Sequence, residues 1–215
     1  MNVLALDGAL GAFSAAVAVD GAIVATECES GSVALERGLP IVDAVLAAAK
    51  VGGERIDRLA VGVGPGSFTG LRIAIAYAKA LAAVWQRPLL PIDSFDLLEF
   101  GGGFDRVLSI VVGRPGVISA RYRSGSEVRR ASGWTADVLA QVVPEGEPLL
   151  TVLGAPEDVL HALAERAIAV RLAVPAVMPA AAAAALAAAL RTPPKSLHEV
   201  RADYGELPAA KPPKF

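Results

Sequence analysis

One cysteine, Cys28, and two histidines, His161 and His198, are all that this 215-residue chain has of the side chains most used for disulfides, thiol catalysis and zinc. A lone cysteine excludes an internal disulfide and fits a reducing compartment, and Cys28 reads as a small buried hydrophobe rather than a reactive thiol. Neither histidine has a second one three or four residues away, the spacing that sets two ligands on one helix face, so no zinc-protease motif forms and no metal site is expected. A Gly-x-Ser-x-Gly elbow is missing as well, because Thr69 stands where the glycine two residues after Ser67 would be. No run reaches the about 18 uncharged apolar residues that span a bilayer, and MNVLALDG has an aspartate where a signal peptide would be apolar. The chain is therefore expected in the cytoplasm, with no membrane partner. Positive charge is scarce too: 20 Lys and Arg against 22 Asp and Glu give a net charge of -2. Such a balance argues against holding nucleic acid unaided. Arg114, Arg121, Arg123, Arg129 and Arg130 are a local exception that reads as a solvated strand face, with RNA contact as the lesser alternative.

Apolar residues, by contrast, are plentiful: 54% of the chain, with a mean hydropathy of +0.51. Asn2–Asp7 reads as a short buried strand. FSAAVAVDGAIVATECE reads as two more, hinged on Asp20-Gly21, a dipeptide suited to a tight hairpin. From Ser32 to Lys50, residues Leu35, Leu39, Val42, Leu46 and Ala49 recur at helical spacing, with Glu36, Asp43 and Lys50 on another face. Ile56–Gly64 supplies a fourth strand, a helix runs from about Thr69 to Trp85, and a strand at PLLPI precedes a short helix from Ser94. Gly101-Gly102-Gly103 marks a boundary between residues 1–103 and 104–215. The second unit holds strands at Arg106–Val112, Val117–Arg123 and LLTVLG, and helices after Trp134 and over Pro156–Arg166. Pro179–Arg191 reads as a further helix, since alanine is the best helix former and proline suits a first helical position. ELPAAKPPKF reads as an extended tail. This order predicts an α/β fold with a mixed sheet flanked by helices in each half, the second half reduced.

The stretch VGVGPGSFTGLRIAIAYAKAL, Val61–Leu81, carries the candidate chemistry. It has no Walker lysine, since Gly70 is followed by Leu71, and no dinucleotide fingerprint, since Thr69 replaces the third glycine. What remains is a strand-turn-helix. Ser67 or Thr69 can cap the helix, and Gly64, Gly66, Ser67, Thr69, Gly70 and Arg72 could instead face an anion. Asp7, ending the first strand, stands where phosphotransferases of the actin and hexokinase kind keep a metal-linked carboxylate, although a lone Asp-Gly also simply opens a turn. From Leu71 to Trp85 only Arg72 and Lys79 are charged, and six alanines keep the surface small. Such a helix must be covered on most sides, by its own chain or by another protein.

At these residues the chain resembles the TsaB family, also called YeaZ, whose block GxGPGSFTGxRIG reads here as Gly62-Val-Gly-Pro-Gly-Ser-Phe-Thr-Gly-Leu-Arg-Ile-Ala74. LALDGALGAFSAAV is similar to that family's first hairpin, and LERGLPIVDAVL to its first helix, with Glu36, Leu39 and Pro40 kept and Ala34 where a histidine is usual. The resemblance implies an actin-like ATPase (ASKHA) fold of two RNase H-like halves. It also implies a non-catalytic subunit that, with TsaD-like and TsaE-like proteins, supports threonylcarbamoyl transfer to adenosine 37 of tRNAs reading codons that begin with A. ATP and metal would belong to those partners, with no cofactor on this chain, and tRNA would be met only through the complex. Pairing with TsaD, or as a homodimer, would use the first helices, which puts the candidate interface on Leu35, Leu39, Val42 and Leu46 and on Ala74, Ala78, Lys79 and Ala82. An ATP-binding kinase or hydrolase of the same fold is the competing expectation, with a metalloprotease-like protein behind it.

Overall fold

Alternation along β1 (Asn2–Asp7) splits its side chains between two layers: Leu4 and Leu6 enter one core, Val3 and Ala5 the opposite one. The computed structural model describes residues 1–29, 38–189 and 196–205. β1 pairs antiparallel with β2 (Phe13–Val19), which pairs antiparallel with β3 (Ala22–Glu29) around the Asp20-Gly21 turn. On its other side β1 runs parallel to β4 (Arg58–Gly64), which runs parallel to β5 (Leu89–Asp93). The resulting order is β3-β2-β1-β4-β5. Helices α1 (Gly38–Ala49) and α2 (Phe68–Trp85) cover one face, burying Val42, Val45, Leu71, Ala74 and Ala78 against Leu4, Leu6, Phe13 and Val17.

The second half repeats this topology. β6 (Arg106–Arg114), β7 (Val117–Ser124) and β8 (Glu127–Trp134) form an antiparallel meander, and β9 (Leu149–Leu153) and β10 (Ala169–Ala173) add on the far side of β6 in parallel. The order is β10-β9-β6-β7-β8. Short helices α4 (Thr135–Val142) and α5 (Glu157–Glu165) cover one face. α3 (Ser94–Glu99) lies between the halves and sets Phe95 and Leu98 against Val107, Val111 and Leu153. Two mixed sheets of identical order, each flanked by helices, match the predicted architecture, and the second half carries the shorter helices.

Four features depart from the sequence reading, and the first is Cys28, expected buried but exposed on the edge strand β3, which leaves most of its side chains outside the core. The boundary at Gly101–Gly103 puts the alanine-rich helix α6 (Pro179–Ala189) in the 104–215 unit, yet it packs on the free face of the first sheet, burying Ala180–Ala184 and Ala187 against Val3, Ala5, Ala16, Ala18 and Ala60. Small residues on both sides let helix and sheet approach closely, and Arg58 Nη1 donates to the Ala187 carbonyl at 2.9 Å. β8 and β10 were not anticipated: both are edge strands with mostly exposed side chains, so neither shows an apolar stripe. The start of the first predicted helix and the whole predicted tail lie outside the described residues. By length and composition α2 could cross a bilayer, but it lies on the sheet.

Candidate functional site

The parallel strands β1, β4 and β5 all end at the same edge of the first sheet, the place where open α/β sheets hold ligands. Asp7 ends β1 there, fully buried, opposite Ser14 in register. Its Oδ2 accepts the Leu10 N–H at 3.2 Å, while Oδ1 has no hydrogen-bond partner among the described residues. The side chain lies over Gly62, where a Cβ would collide with Oδ1. Burial outweighs the backbone donors at Leu10 and Ala9 and pushes the carboxyl up to about 7.

Beside it, the glycine loop climbs from β4 into α2. Ser67 is the N-cap: its Oγ accepts the Gly70 N–H at 3.2 Å, which leaves Thr69 in the first turn. The Ser67 N–H donates to the Ala9 carbonyl at 2.9 Å, and Gly66 and Gly70 press on the backbones of Ala9 and Gly8. Asp7, Gly64, Gly66, Ser67, Thr69 and Gly70 are therefore neighbours, as the sequence reading grouped them. Arg72 instead stands on the exposed side of α2, its guanidinium 5.2 Å from the Phe68 ring centroid.

The space in front of this loop is filled by the chain itself, through a strap, residues 196–205, that the sequence reading did not foresee. The Asp203 N–H donates to the Val63 carbonyl at 2.7 Å. Gly64 has φ +109°, a conformation that suits glycine, and a Cβ there would collide with the Asp203 carbonyl. Tyr204 packs its ring 4.9 Å from that of Phe68, and Val200 is buried. Asp203 also accepts from Arg130 Nη2 at 2.5 Å, while Arg130 Nη1 donates to Asp93 at 2.6 Å. Strap, glycine loop and second sheet are thereby tied together.

Most of the arginine run is spent within the molecule. Glu99 of α3, almost fully buried, accepts from Arg121 at 3.1 Å, Arg123 at 2.8 Å and the Ser109 hydroxyl at 2.7 Å. Arg121 also reaches Asp96 at 2.7 Å. Burial alone would lower its pKa, but the Asp96 and Glu99 carboxylates more than offset that and raise it. Arg121 and Arg130 lie over the Phe95 ring, Arg114 lies over Trp134, and Arg129 pairs with Glu127. The RNA-contact alternative thus loses the free cations it needed.

The candidate interface requires a larger correction. Ala74, Ala78 and Ala82 recur every four residues on the sheet side of α2, and with Val42 of α1 they are buried in the first core. Their small size serves the approach of helix to sheet. Leu46 and Lys79 are half-buried, Leu39 is 47% exposed, and Leu35 lies outside the described residues. The face of α2 left uncovered by the described residues is a different one: Arg72, Ala76, Ala80, Ala83 and Val84, the last 77% exposed. No group of three or more His, Cys, Asp or Glu residues that could hold a metal ion occurs among the described residues.

Two sheets of the same order, a buried aspartate at the end of the first strand and a glycine loop at the edge between halves define an actin-like ATPase (ASKHA) fold. The ethanolamine utilization protein EutJ from Carboxydothermus hydrogenoformans shares that fold at TM-score 0.53 and 11% identity, over 86% of this chain and 89% of EutJ. Within that class, the sequence model of the family described as "TsaD: tRNA N6-adenosine threonylcarbamoyltransferase" matches residues 34–187. The tRNA threonylcarbamoyladenosine biosynthesis protein TsaB of Escherichia coli (strain K12) is 34% identical over 122 residues, 55% of this chain and 53% of TsaB. A Pseudomonas aeruginosa crystal structure described as an uncharacterized protein with similarity to peptidase YEAZ superposes at TM-score 0.76 and 25% identity, covering 95% of this chain and 99% of that one. The chain belongs to the TsaB/YeaZ family. Its match spans about half the length of the E. coli relative.

Proposed function

We propose that this chain is a non-catalytic subunit that docks on a TsaD-type threonylcarbamoyltransferase and orders it for the formation of N6-threonylcarbamoyladenosine in tRNA. The observation that carries this reading is the uncovered face of α2, where Ala76, Ala80, Ala83 and Val84 present a small, apolar helix surface beside Arg72. Helix-helix burial would supply the binding, and preference for the active conformation of the partner would supply the effect. TsaE-like protein, ATP, metal and tRNA would join through the complex, in the cytoplasm, and the same face would pair two copies of the chain in isolation. The test is reconstitution: TsaD-type and TsaE-type proteins of the same organism, threonylcarbamoyl-adenylate and tRNA, with and without this chain. Modification that depends on the chain supports the reading, and full modification without it refutes it.

The competing reading, an ATP-binding kinase or hydrolase using Asp7, would require the strap to leave the mouth of the glycine loop. Calorimetry with Mg-ATP decides it: tight binding that is lost in Asp7→Ala would favour the enzyme.

A further inference from the structure

We infer that the groove between α2 and the strap seats an acidic segment of the partner protein, one bearing two carboxylates on either side of an apolar residue. The inference rests on the docking reading above and adds the chemistry of the partner. The groove encloses about 470 Å³ and is walled by Arg72, Ile75, Ala76 and Lys79 on one side and by strap residues that include Arg201 and Tyr204 on the other. Three cations and no carboxylate line it, in a chain whose net charge is -2. Arg72 and Lys79 have no ion-pair partner among the described residues, and Arg72 has only the face of Phe68. Arg201 turns its Nε to the His198 carbonyl at 3.3 Å and has no ion-pair partner among the described residues for its remaining donors. The strap has two acids: Asp203 is committed to Arg130, and Glu199, which is itself engaged, does not line the groove.

Spacing defines what fits. Arg72 and Lys79 are two helical turns apart, about 10 Å along the axis, with Ile75 and the exposed Ala76 between them. Charges so far apart cannot share one small anion. They match two carboxylates seven residues apart on a partner helix, with an apolar side chain from the intervening turn resting on Ala76 and Tyr204. An RNA backbone fits less well, because three cations over an apolar floor give little of the clustered charge that phosphate binding draws on.

The experiment measures binding of this chain to the TsaD-type protein of the same organism, by fluorescence anisotropy, at about 50 mM and about 500 mM KCl. Arg72→Glu with Lys79→Glu is compared with Arg72→Gln with Lys79→Gln, after thermal melts show that both variants fold. Wild-type affinity is expected to fall about tenfold over this salt range, the charge reversal to cost about thirtyfold at low salt, and the Gln pair to lie between and lose the salt dependence. If both variants bind like wild type, the groove assignment is overturned and the docking reading stands. If wild type does not bind at either salt, the docking reading falls and takes the groove with it. If the reversal instead abolishes binding of labelled tRNA by the isolated chain and spares the protein partner, the groove is an RNA site and the inference is wrong.

Discussion

At the carboxyl end of β1, Asp7 holds its side chain out of water with one oxygen unpartnered among the described residues, and that arrangement has a pH signature. Its folded pKa stands near 7, against an ordinary value of 3.8. Below about pH 4 both folded and unfolded chains keep the proton, so burial carries no ionisation cost. Between about pH 4 and about pH 7 the unfolded chain releases a proton that the native chain still holds, so the contribution of Asp7 to stability declines as pH rises. The difference is on the order of 4 kcal/mol. Asp7→Asn removes it: in urea unfolding, the stability of the variant relative to wild type should rise by several kcal/mol between about pH 4.5 and about pH 7.5. A relative stability that does not change with pH would contradict the burial argument. Sequence alone shows where Asp7 stands, at a strand end before a glycine, but the burial that decides its protonation depends on residues such as Gly62, far along the chain.

At the scale of elements, α2 has two apolar faces, and composition cannot say which one the sheet takes. Alanines at 74, 76, 78, 80, 82 and 83 look alike in sequence, while in the fold Ala78 is fully buried and Ala80 is exposed. Ala78→Arg should therefore cost about 3 kcal/mol or more, by forcing a cation into the core, and Ala80→Arg should change stability by less than about 0.5 kcal/mol. Denaturant midpoints of the two variants separate these outcomes, and equal losses would contradict the assigned faces. Elements with a marked apolar pattern, such as β1, β2, β6 and α2, were legible because periodicity reports burial directly. β8 and β10 were not, because an edge strand buries little and shows no stripe. The strap was also hidden, since it is held by a backbone bond to Val63 and a ring contact with Phe68 on one side and by the Asp203 carboxylate on Arg130 of the second sheet on the other.

For the whole molecule, the two halves are joined by α3 and the arginines of the second sheet, with Glu99 at the centre. Glu99→Gln keeps the shape and removes the charge, leaving Arg121 and Arg123 short of a partner, at a cost of about 3 kcal/mol. The chain has two tryptophans, Trp85 in α2 of the first half and Trp134 at the end of β8 in the second. In single-tryptophan versions the two unfolding transitions should coincide for wild type and separate for Glu99→Gln. Coincident transitions in the variant would mean that the halves are coupled elsewhere. Doubled topology was readable from the element order, while the return of α6 to the first sheet was not, because a helix of alanines has no polar face to show which surface it covers.

The proposed docking of this chain through the outer face of α2 is tested by Val84→Arg with Ala80→Arg, both at exposed positions of that face. Affinity for the TsaD-type protein of the same organism, measured by analytical ultracentrifugation for wild type and the double variant, should fall by about a hundredfold while the melting temperature is retained. Unchanged affinity in a folded variant would contradict the account.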